Sequence, residues 1–215
     1  MKTLVYIIRH GESTGNRDIR FLGHTDGALT ERGERQAMLA GDYLRKIGLR
    51  PDAVYASDLS RAYKTAALAT AGLWDAPIPE RGFREICAGE WEGMYVPDIE
   101  KDYGEDLAVW RNTIGLSRPT GGESVAELSA RVLDTLFEKA AAHPGGTVFI
   151  GTHATPLRVI ETYSRGLPVS EMHRVPWANN ASLSAYLVEG RTVTPLFYSF
   201  DGYLSSLSTA CTALL

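Results

Sequence analysis

Residues 3–13 have the sequence TLVYIIRHGES, in which a short apolar run ends at an arginine and a histidine. The run from Thr3 to Ile8 is rich in β-branched residues and apolar on both faces, which predicts a buried strand. A glycine follows Arg9 and His10, so these polar side chains are expected in a loop just past the strand. The stretch therefore predicts a sheet covered on both faces, with chemically useful residues at the carboxyl end of its first strand.

Strand and helix patterns alternate along the rest of the chain. Thr30 is a predicted N-cap for the first long helix, Ser124 opens a capping box, and Thr155 is a predicted N-cap with Pro156 at the first helical position. This alternation indicates an α/β fold with a mostly parallel sheet between helices. The predicted strands are residues 3–8, 53–56, 83–86, 147–152, 182–188 and 192–200, and the predicted helices are residues 29–47, 61–71, 124–142 and 155–166.

Two segments fit neither pattern. Residues 89–122 are predicted to be irregular, and we interpret them as an inserted lid in one domain of residues 1–200. Residues 201–215 form a predicted C-terminal tail. A chain of 215 residues is long enough to bury one sizeable core, so a single domain is the simplest prediction.

Polar residues follow the predicted strands where those strands end. In α/β sheets, ligands bind beyond the carboxyl ends of the strands, so these residues are expected to converge on one cleft. We therefore take six side chains together as a candidate site: Arg9, His10, Asn16, Arg61, Glu85 and His153.

These residue types suit the transfer of a phosphoryl group. The planar fork of arginine binds phosphate well, and a neutral imidazole can attack phosphorus. The remaining positive charges can stabilise the equatorial oxygens, while a carboxyl group protonates the leaving oxygen and later activates water. The arginines supply the positive charge, so we expect neither a metal nor another cofactor.

Composition narrows the range of partners. There are 22 basic and 26 acidic residues, and the resulting charge of −4 disfavours a broad nucleic-acid-binding face. No apolar run approaches the roughly 20 residues of a membrane span, and the first run is too short for a signal peptide. Cys87 and Cys211 cannot form a disulfide framework and fit a reducing compartment. We expect a cytoplasmic protein that binds neither nucleic acid nor membrane.

Several motifs resemble those of the histidine phosphatase superfamily, the phosphoglycerate mutase-like enzymes. The first is RHGES at residues 9–13, with Asn16 after it. The others follow in the family's order: SDLSRA at 57–62, Glu85 with GEWEG at 89–93, GGES at 121–124, GTH at 151–153 and NNAS at 179–182. The resemblance covers about residues 4–200, and the GGES motif favours the phosphatase branch.

The resemblance implies a three-layer sandwich with a mixed, mainly parallel sheet flanked by helices. It also implies that His10 is the nucleophile, that Glu85 is the general acid and base, and that no metal is needed. The implied phosphate clamp is Arg9, Arg61 and His153, with Asn16 as a further donor and the backbone of Gly23 beside the substrate.

One position departs from the family pattern. Ala154 and Thr155 stand where the family commonly has Gly-Gly or Gly-Asn. Alanine retains a backbone N–H, so Ala154 joins the predicted substrate-binding residues unless its loop requires a positive φ.

The predicted activity is hydrolysis of a small phosphomonoester. A phosphoglycerate mutase, or a catalytically silent protein that binds a phosphorylated ligand, is the alternative. The sequence GESTG at residues 11–15 also fits a serine-hydrolase elbow, but residues 16–27 are polar and predict a loop where that fold needs a helix.

Five acidic residues and Lys101 lie within residues 98–106, and this segment carries the whole excess of negative charge. A predicted lid that faces or flanks the cationic pocket should disfavour highly anionic substrates. The expected substrate is then a phosphomonoester whose remainder is neutral or cationic. His24, His143 and His173 are predicted to be surface or structural residues.

Overall fold

Five of the six predicted strands pair into one sheet in the computed structural model, which describes residues 1–209. Within these residues the sheet has six strands in the order β3-β2-β4-β1-β5-β6. The strands are Thr3–Arg9 (β1), Ala53–Ala56 (β2), Ile78–Pro79 (β3), Thr147–Thr152 (β4), Leu183–Glu189 (β5) and Thr192–Phe200 (β6).

β1 lies inside the sheet, between a parallel neighbour and an antiparallel one. It pairs in parallel with β4, which pairs in parallel with β2, and β2 pairs in parallel with β3. On its other side β1 pairs antiparallel with β5, and β5 pairs antiparallel with β6. The predicted α/β fold with a mixed, mainly parallel sheet is therefore confirmed.

Helices cover both faces of this sheet. They are Thr14–Arg17 (α1), Glu31–Lys46 (α2), Ser60–Ala69 (α3), Val96–Asp102 (α4), Gly104–Thr113 (α5), Val125–Ala141 (α6) and Ala154–Ser164 (α7). Ile8 of β1 packs in one hydrophobic cluster with residues of α2 and α3, while Val5 and Ile7 pack in the other with residues of α5, α6 and α7. This alternation follows from the period of two in a strand and produces three layers.

Two predicted helix starts are confirmed by their caps. The Thr30 side chain accepts a hydrogen bond from the backbone N–H of Gly33 at the start of α2. Ser124 and Glu127 form the predicted reciprocal capping box at the start of α6. Each cap satisfies donors that the first turn of a helix leaves unpaired.

The third strand was predicted in the wrong place. Residues 83–86 do not form a strand, because Arg81–Phe83 is a 3-10 turn capped by the Glu80 side chain. Phe83 and Ile86 are fully buried in the core, so their apolar character reflects packing from a loop rather than strand pairing. The strand at this sheet edge is β3, with only two residues.

The prediction that residues 89–122 are irregular was also wrong. The segment contains α4 and α5, and its residues Ile99, Leu107 and Trp110 are buried in the same cluster as Val5 of β1. The helices are short and meet at Gly104, which breaks the helical period that a sequence pattern needs. The segment is thus packed into the core.

Smaller differences occur at three other places. α7 begins at Ala154 with His153 rather than the predicted Thr155 as its N-cap, so Pro156 is the third helical residue. It still lies in the first turn, where its missing N–H has no partner to lose. The polar residues after Ser13 form one helical turn, α1, rather than a pure loop. The part of the predicted tail that the structure describes, residues 201–209, packs on α2 through a hydrogen bond from Gln36 Nε2 to the carbonyl of Leu207. Residues 210–215, with Cys211, lie outside the described residues.

Among the described residues, no helix has the length and apolarity that a bilayer crossing requires.

Candidate active site

One cleft lies at the carboxyl ends of β1, β2 and β4. Five of the six predicted side chains line it (Arg9, His10, Asn16, Arg61 and Glu85), whereas His153 is fully buried and is not among the lining residues. Arg9 ends β1 and His10 follows it, Arg61 lies in the first turn of α3 after β2, and His153 follows β4. The full lining of the cleft is Arg9, His10, Ser13, Asn16, Arg20, Phe21, Leu22, Gly23, Arg61, Glu85, Ala154 and Thr155.

One ring nitrogen of His10 is held by the backbone. Nδ1 lies 2.7 Å from the carbonyl oxygen of Gly11, and a carbonyl can only accept, so Nδ1 carries the proton. The lone pair of the neutral ring therefore belongs to Nε2. Burial, and then the charges of Arg61 and Arg9, lower the pKa of His10 well below its usual value. The unprotonated ring that a nucleophilic attack requires is thus the form present at neutral pH.

Arg9 and Arg61 are buried cations whose hydrogen bonds go to carbonyl oxygens. Arg61 donates from Nη1 to Thr25 at 3.0 Å and from Nη2 to Gly23 at 2.7 Å, and Arg9 donates from Nη1 to Ala178. Within the described residues, neither has a carboxylate within 4.0 Å, and Arg9 Nε is buried with no partner. Burial lowers the pKa of Arg61 to about 10, which leaves it charged at neutral pH. Two such cations form a site for an anion.

His153 lies directly behind His10, and their ring centres are 5.2 Å apart. Its Nε2 lies 2.8 Å from Ser57 Oγ, which also accepts a hydrogen bond from the backbone N–H of Leu59. In the tautomer in which the Ser57 hydroxyl donates to Nε2, the neutral His153 ring carries its proton on Nδ1. Nδ1 is buried with no partner among the described residues, so in this tautomer it is a donor without an acceptor. Burial and the charge of Arg61 lower the pKa of His153 well below its usual value.

Asn16 is oriented by contacts to its side-chain oxygen. Oδ1 accepts hydrogen bonds from the backbone N–H and the hydroxyl of Ser13, at 3.1 and 3.0 Å, and from Asn180 Nδ2 at 3.2 Å. These contacts leave Nδ2 of Asn16 as a donor in the cleft wall. They also engage the hydroxyl of Ser13, the residue in the serine-hydrolase position.

Glu85 reaches the cleft from the loop after the 3-10 turn. Its Oε1 accepts from the backbone N–H of Ile86 at 2.9 Å, and its Oε2 accepts from that of Thr155 at 3.3 Å. His24 Nε2 lies 2.8 Å from the carbonyl oxygen of Glu85, so His24 has a structural role beside the site. The carboxyl group is thus held at the edge of the cleft.

Gly23 and Ala154 also line the cleft. Gly23 has a φ of +53°, a conformation that glycine adopts at little cost. Ala154 is the first residue of α7, and its φ is not positive, so alanine fits where the family commonly has glycine. Its N–H is one of the donors that a helix N-terminus leaves unpaired.

The acidic segment does not line this cleft. The side chains of Asp98, Glu100, Asp102 and Glu105 are exposed on α4 and α5, and Glu100 pairs with Arg111 at 3.0 Å. None of them is among the lining residues. These four side chains therefore do not face the cationic pocket, and the expectation that the segment flanks the pocket stays a prediction.

The sequence matches the model of the histidine phosphatase superfamily, branch 1, over residues 5–199. The chain belongs to this superfamily. Within the superfamily, it is 36% identical over 165 residues to a 2,3-bisphosphoglycerate-dependent phosphoglycerate mutase of Mesorhizobium japonicum, covering 74% of this chain and 79% of the mutase. It is 33% identical over 188 residues to phosphoserine phosphatase 1 of Hydrogenobacter thermophilus, covering 86% of each chain.

Solved structures of the superfamily share the fold. YhfR of Bacillus stearothermophilus superposes with a TM-score of 0.89 at 27% identity, covering 94% of this chain and 99% of YhfR. A mycobacterial glucosyl-3-phosphoglycerate phosphatase in complex with VO3 superposes with a TM-score of 0.78 at 27% identity, covering 85% and 92%. The architecture of this histidine phosphatase superfamily member is therefore the one that the resemblance implied.

The position of some cleft residues could not be predicted from the sequence. Ser57 lies within a recognised motif, but only the structure places its hydroxyl on His153. Arg20, Phe21 and Leu22 lie in a loop between α1 and α2, where no periodic pattern indicates the direction of a side chain. Within residues 1–209 there is no group of three or more histidine, cysteine, aspartate or glutamate side chains arranged to hold a metal ion.

Proposed function

We propose that the protein is a metal-independent phosphatase that hydrolyses a small phosphomonoester through a phosphohistidine on His10. The observation that carries this proposal is the free Nε2 of a neutral His10 beside two cations without carboxylate partners, Arg9 and Arg61. A nucleophile with fixed positive charge around it suits attack on a phosphate ester, because the cations stabilise the charge of the transferring group.

In the first step, His10 Nε2 attacks phosphorus as the bond from phosphorus to the ester oxygen breaks. Glu85, in its protonated form, donates its proton to that departing oxygen, so an alcohol leaves. Arg9, Arg61 and His153 hold the equatorial oxygens, with Asn16 Nδ2 and the N–H of Ala154 as further donors. Nδ1 of His10 keeps its proton and its hydrogen bond to the carbonyl oxygen of Gly11, and this hydrogen bond stabilises the ring while Nε2 carries phosphate.

In the second step, a water oxygen attacks the phosphorus of phosphohistidine. The Glu85 carboxylate takes a proton from that water, and the bond from nitrogen to phosphorus breaks. Inorganic phosphate leaves, and both His10 and Glu85 return to their starting forms. Two named phosphatases among the similar proteins, those for phosphoserine and glucosyl-3-phosphoglycerate, support hydrolysis as the outcome.

The test is the phosphoenzyme itself. Incubation with a 32P-labelled phosphomonoester in the presence of EDTA should label the protein with an adduct that is stable to base and labile to acid. His10→Ala should lose both the label and turnover, by about 10⁴-fold or more, because removal of a covalent nucleophile removes the reaction path. His173→Ala, at an exposed histidine outside the cleft, is the matched control and should behave as wild type. Turnover retained by His10→Ala would contradict the mechanism.

A mutase is the second candidate, because a phosphoglycerate mutase is 36% identical to this chain. It would use the same phosphohistidine but return the phosphate to a second hydroxyl instead of water. Incubation with 3-phosphoglycerate, with and without a bisphosphate primer, separates the two. We expect release of inorganic phosphate, and efficient primed interconversion of phosphoglycerates would identify a mutase instead.

A further inference from the structure

A third arginine, Arg20, lines the cleft and has no assigned role. It is half-buried, and within the described residues no carboxylate lies within 4.0 Å of it. The acidic residue of the same loop, Asp18, is already engaged by both Nε and Nη2 of Arg17, at 2.8 and 3.1 Å. Arg20 therefore adds a positive charge to the cleft wall: Asp18 attracts it from beyond 4.0 Å, but within the described residues no carboxylate forms an ion pair with it.

The guanidinium of Arg20 is held in one position. Nη1 donates to the carbonyl oxygen of Gly93 at 2.6 Å, and the guanidinium carbon lies 3.7 Å from the centre of the Tyr95 ring. The backbones of the two segments also pair, with Phe21 donating to Met94 at 2.9 Å. The edge formed by Nε and Nη2 makes no hydrogen bond with the described residues. A fixed fork with one free edge is already arranged to bind an anion.

The reacting phosphate does not need this arginine. Arg9, Arg61 and Asn16 line the same cleft as His10, and the His153 ring packs against that of His10, so charge and donors for this phosphate are already present. Arg20 comes from the α1–α2 loop, next to the apolar side chains of Phe21 and Leu22 in the cleft wall. Its position and chemistry suit the part of the substrate that leaves with the ester oxygen.

We propose that Arg20 binds a carboxylate on the leaving group, so that the enzyme selects phosphomonoesters of carboxylic acids. The Nε–Nη2 edge of arginine matches the two oxygens of a carboxylate. A second phosphate would bring a dianion to a single half-exposed cation, whereas the reacting phosphate meets two buried ones. This inference rests on the proposed phosphatase activity, and it reverses the substrate charge expected from the acidic segment.

The test uses substrates that differ only in the carboxylate. O-phosphoserine and O-phosphoethanolamine are one such pair. Wild type should prefer phosphoserine by about tenfold or more in kcat/KM, the contribution expected of a charge-assisted pair of hydrogen bonds. Arg20→Gln should lower kcat/KM for phosphoserine about tenfold and change that for phosphoethanolamine less than about twofold. Arg20→Lys should recover part of the loss, because it keeps the charge but not the fork.

Two further variants separate recognition from folding. Arg50→Gln removes an exposed arginine that does not line the cleft, so it should leave both substrates unaffected. Tyr95→Ala removes a half-exposed ring that holds Arg20, and it should weaken phosphoserine hydrolysis selectively. Equal losses on both substrates would show that Arg20 only supports the loop, and would overturn the inference.

The remaining outcomes are also decisive. Equal wild-type rates on both esters, with a normal phosphohistidine, would overturn this inference and leave the proposed function standing. Propanediol bisphosphate and propanediol monophosphate are a second pair, which differs only in a second phosphate. If Arg20→Gln lowered the preference in kcat/KM for the bisphosphate more than it lowered the preference for phosphoserine over phosphoethanolamine, Arg20 would bind a second phosphate and the carboxylate assignment would fail. No phosphohistidine and no turnover with any ester would remove the proposed function, and this inference with it.

Discussion

The reactivity of His10 depends on which of its nitrogens is protonated and on when the ring gains a second proton. The carbonyl oxygen of Gly11 holds the proton on Nδ1. Burial, and then the charges of Arg61 and Arg9, lower the pKa at which the ring gains a second proton. A protonated His10 would add a third positive charge to two buried cations. The same arrangement that suits an anion therefore keeps His10, the proposed nucleophile, neutral.

This arrangement predicts the acid limit of the enzyme. Because the pKa of His10 is lowered, the neutral form persists as pH falls and is lost only when pH passes below that lowered value. In a pH titration of the imidazole followed by NMR, the His10 signal, assigned from its loss in His10→Ala, should have a midpoint well below 6.5. A midpoint at or above 6.5 would contradict the neutral nucleophile.

Single residues differ in how far the sequence could predict them. Arg9, His10 and His153 follow strands with clear apolar patterns, so the edge of the sheet where they lie could be inferred from topology. Glu85 also lines the cleft although its predicted strand does not exist, because its prediction relied on the motif beside it as well as on the strand. Arg20 could not be predicted, because the direction of a loop side chain depends on the Gly93 carbonyl and Tyr95 ring that hold it.

α4 and α5, within residues 96–113, belong to the core, and α5 packs against the wall of the cleft. Trp110 of α5 is buried against Phe21, whose ring centre lies 5.2 Å away and which lines the cleft, and it stacks on Trp177 at 6.2 Å. An inserted segment that shares aromatic contacts with the cleft wall contributes to stability as a core element does.

Removal of that contact should therefore destabilise the whole protein. Trp110→Ala is expected to lower the free energy of unfolding by about 3–5 kcal/mol, the usual cost of removing a large buried aromatic side chain. Val109→Ala, on the exposed face of the same helix, should change it by less than about 0.5 kcal/mol. Urea denaturation measures both, and similar small effects for the two variants would indicate that α5 is not part of the core.

The whole molecule combines a small negative net charge with a positive cleft. The excess acidic residues lie on the exposed surface of α4 and α5, whereas the cleft arginines Arg9, Arg20 and Arg61 have no carboxylate within 4.0 Å in the described residues. Composition could predict the total but not this separation, because it depends on how helices hidden from the sequence pattern are oriented. The cleft therefore holds the positive charges of three arginines close together.

Inorganic phosphate should consequently stabilise the folded protein. A ligand that binds only the folded state adds about 2.7 kcal/mol when its concentration is 100 times its Kd. We expect Tm to rise with phosphate concentration at constant ionic strength, with sodium chloride as the reference salt. A Tm that responds equally to both salts would argue against an anion site at the cleft.

The position of β1 also has a consequence for synthesis of the chain. Both neighbours of this strand come from far along the sequence, since β1 pairs with residues 147–152 on one side and 183–188 on the other. During translation, the segment that carries His10, the proposed nucleophile, has no strand partner until residues 147–152 and 183–188 have been synthesised. Contacts of such long sequence separation slow folding, because a large loop must close before they form. The surroundings of His10 are therefore completed only when β4 and β5 are available to enclose β1.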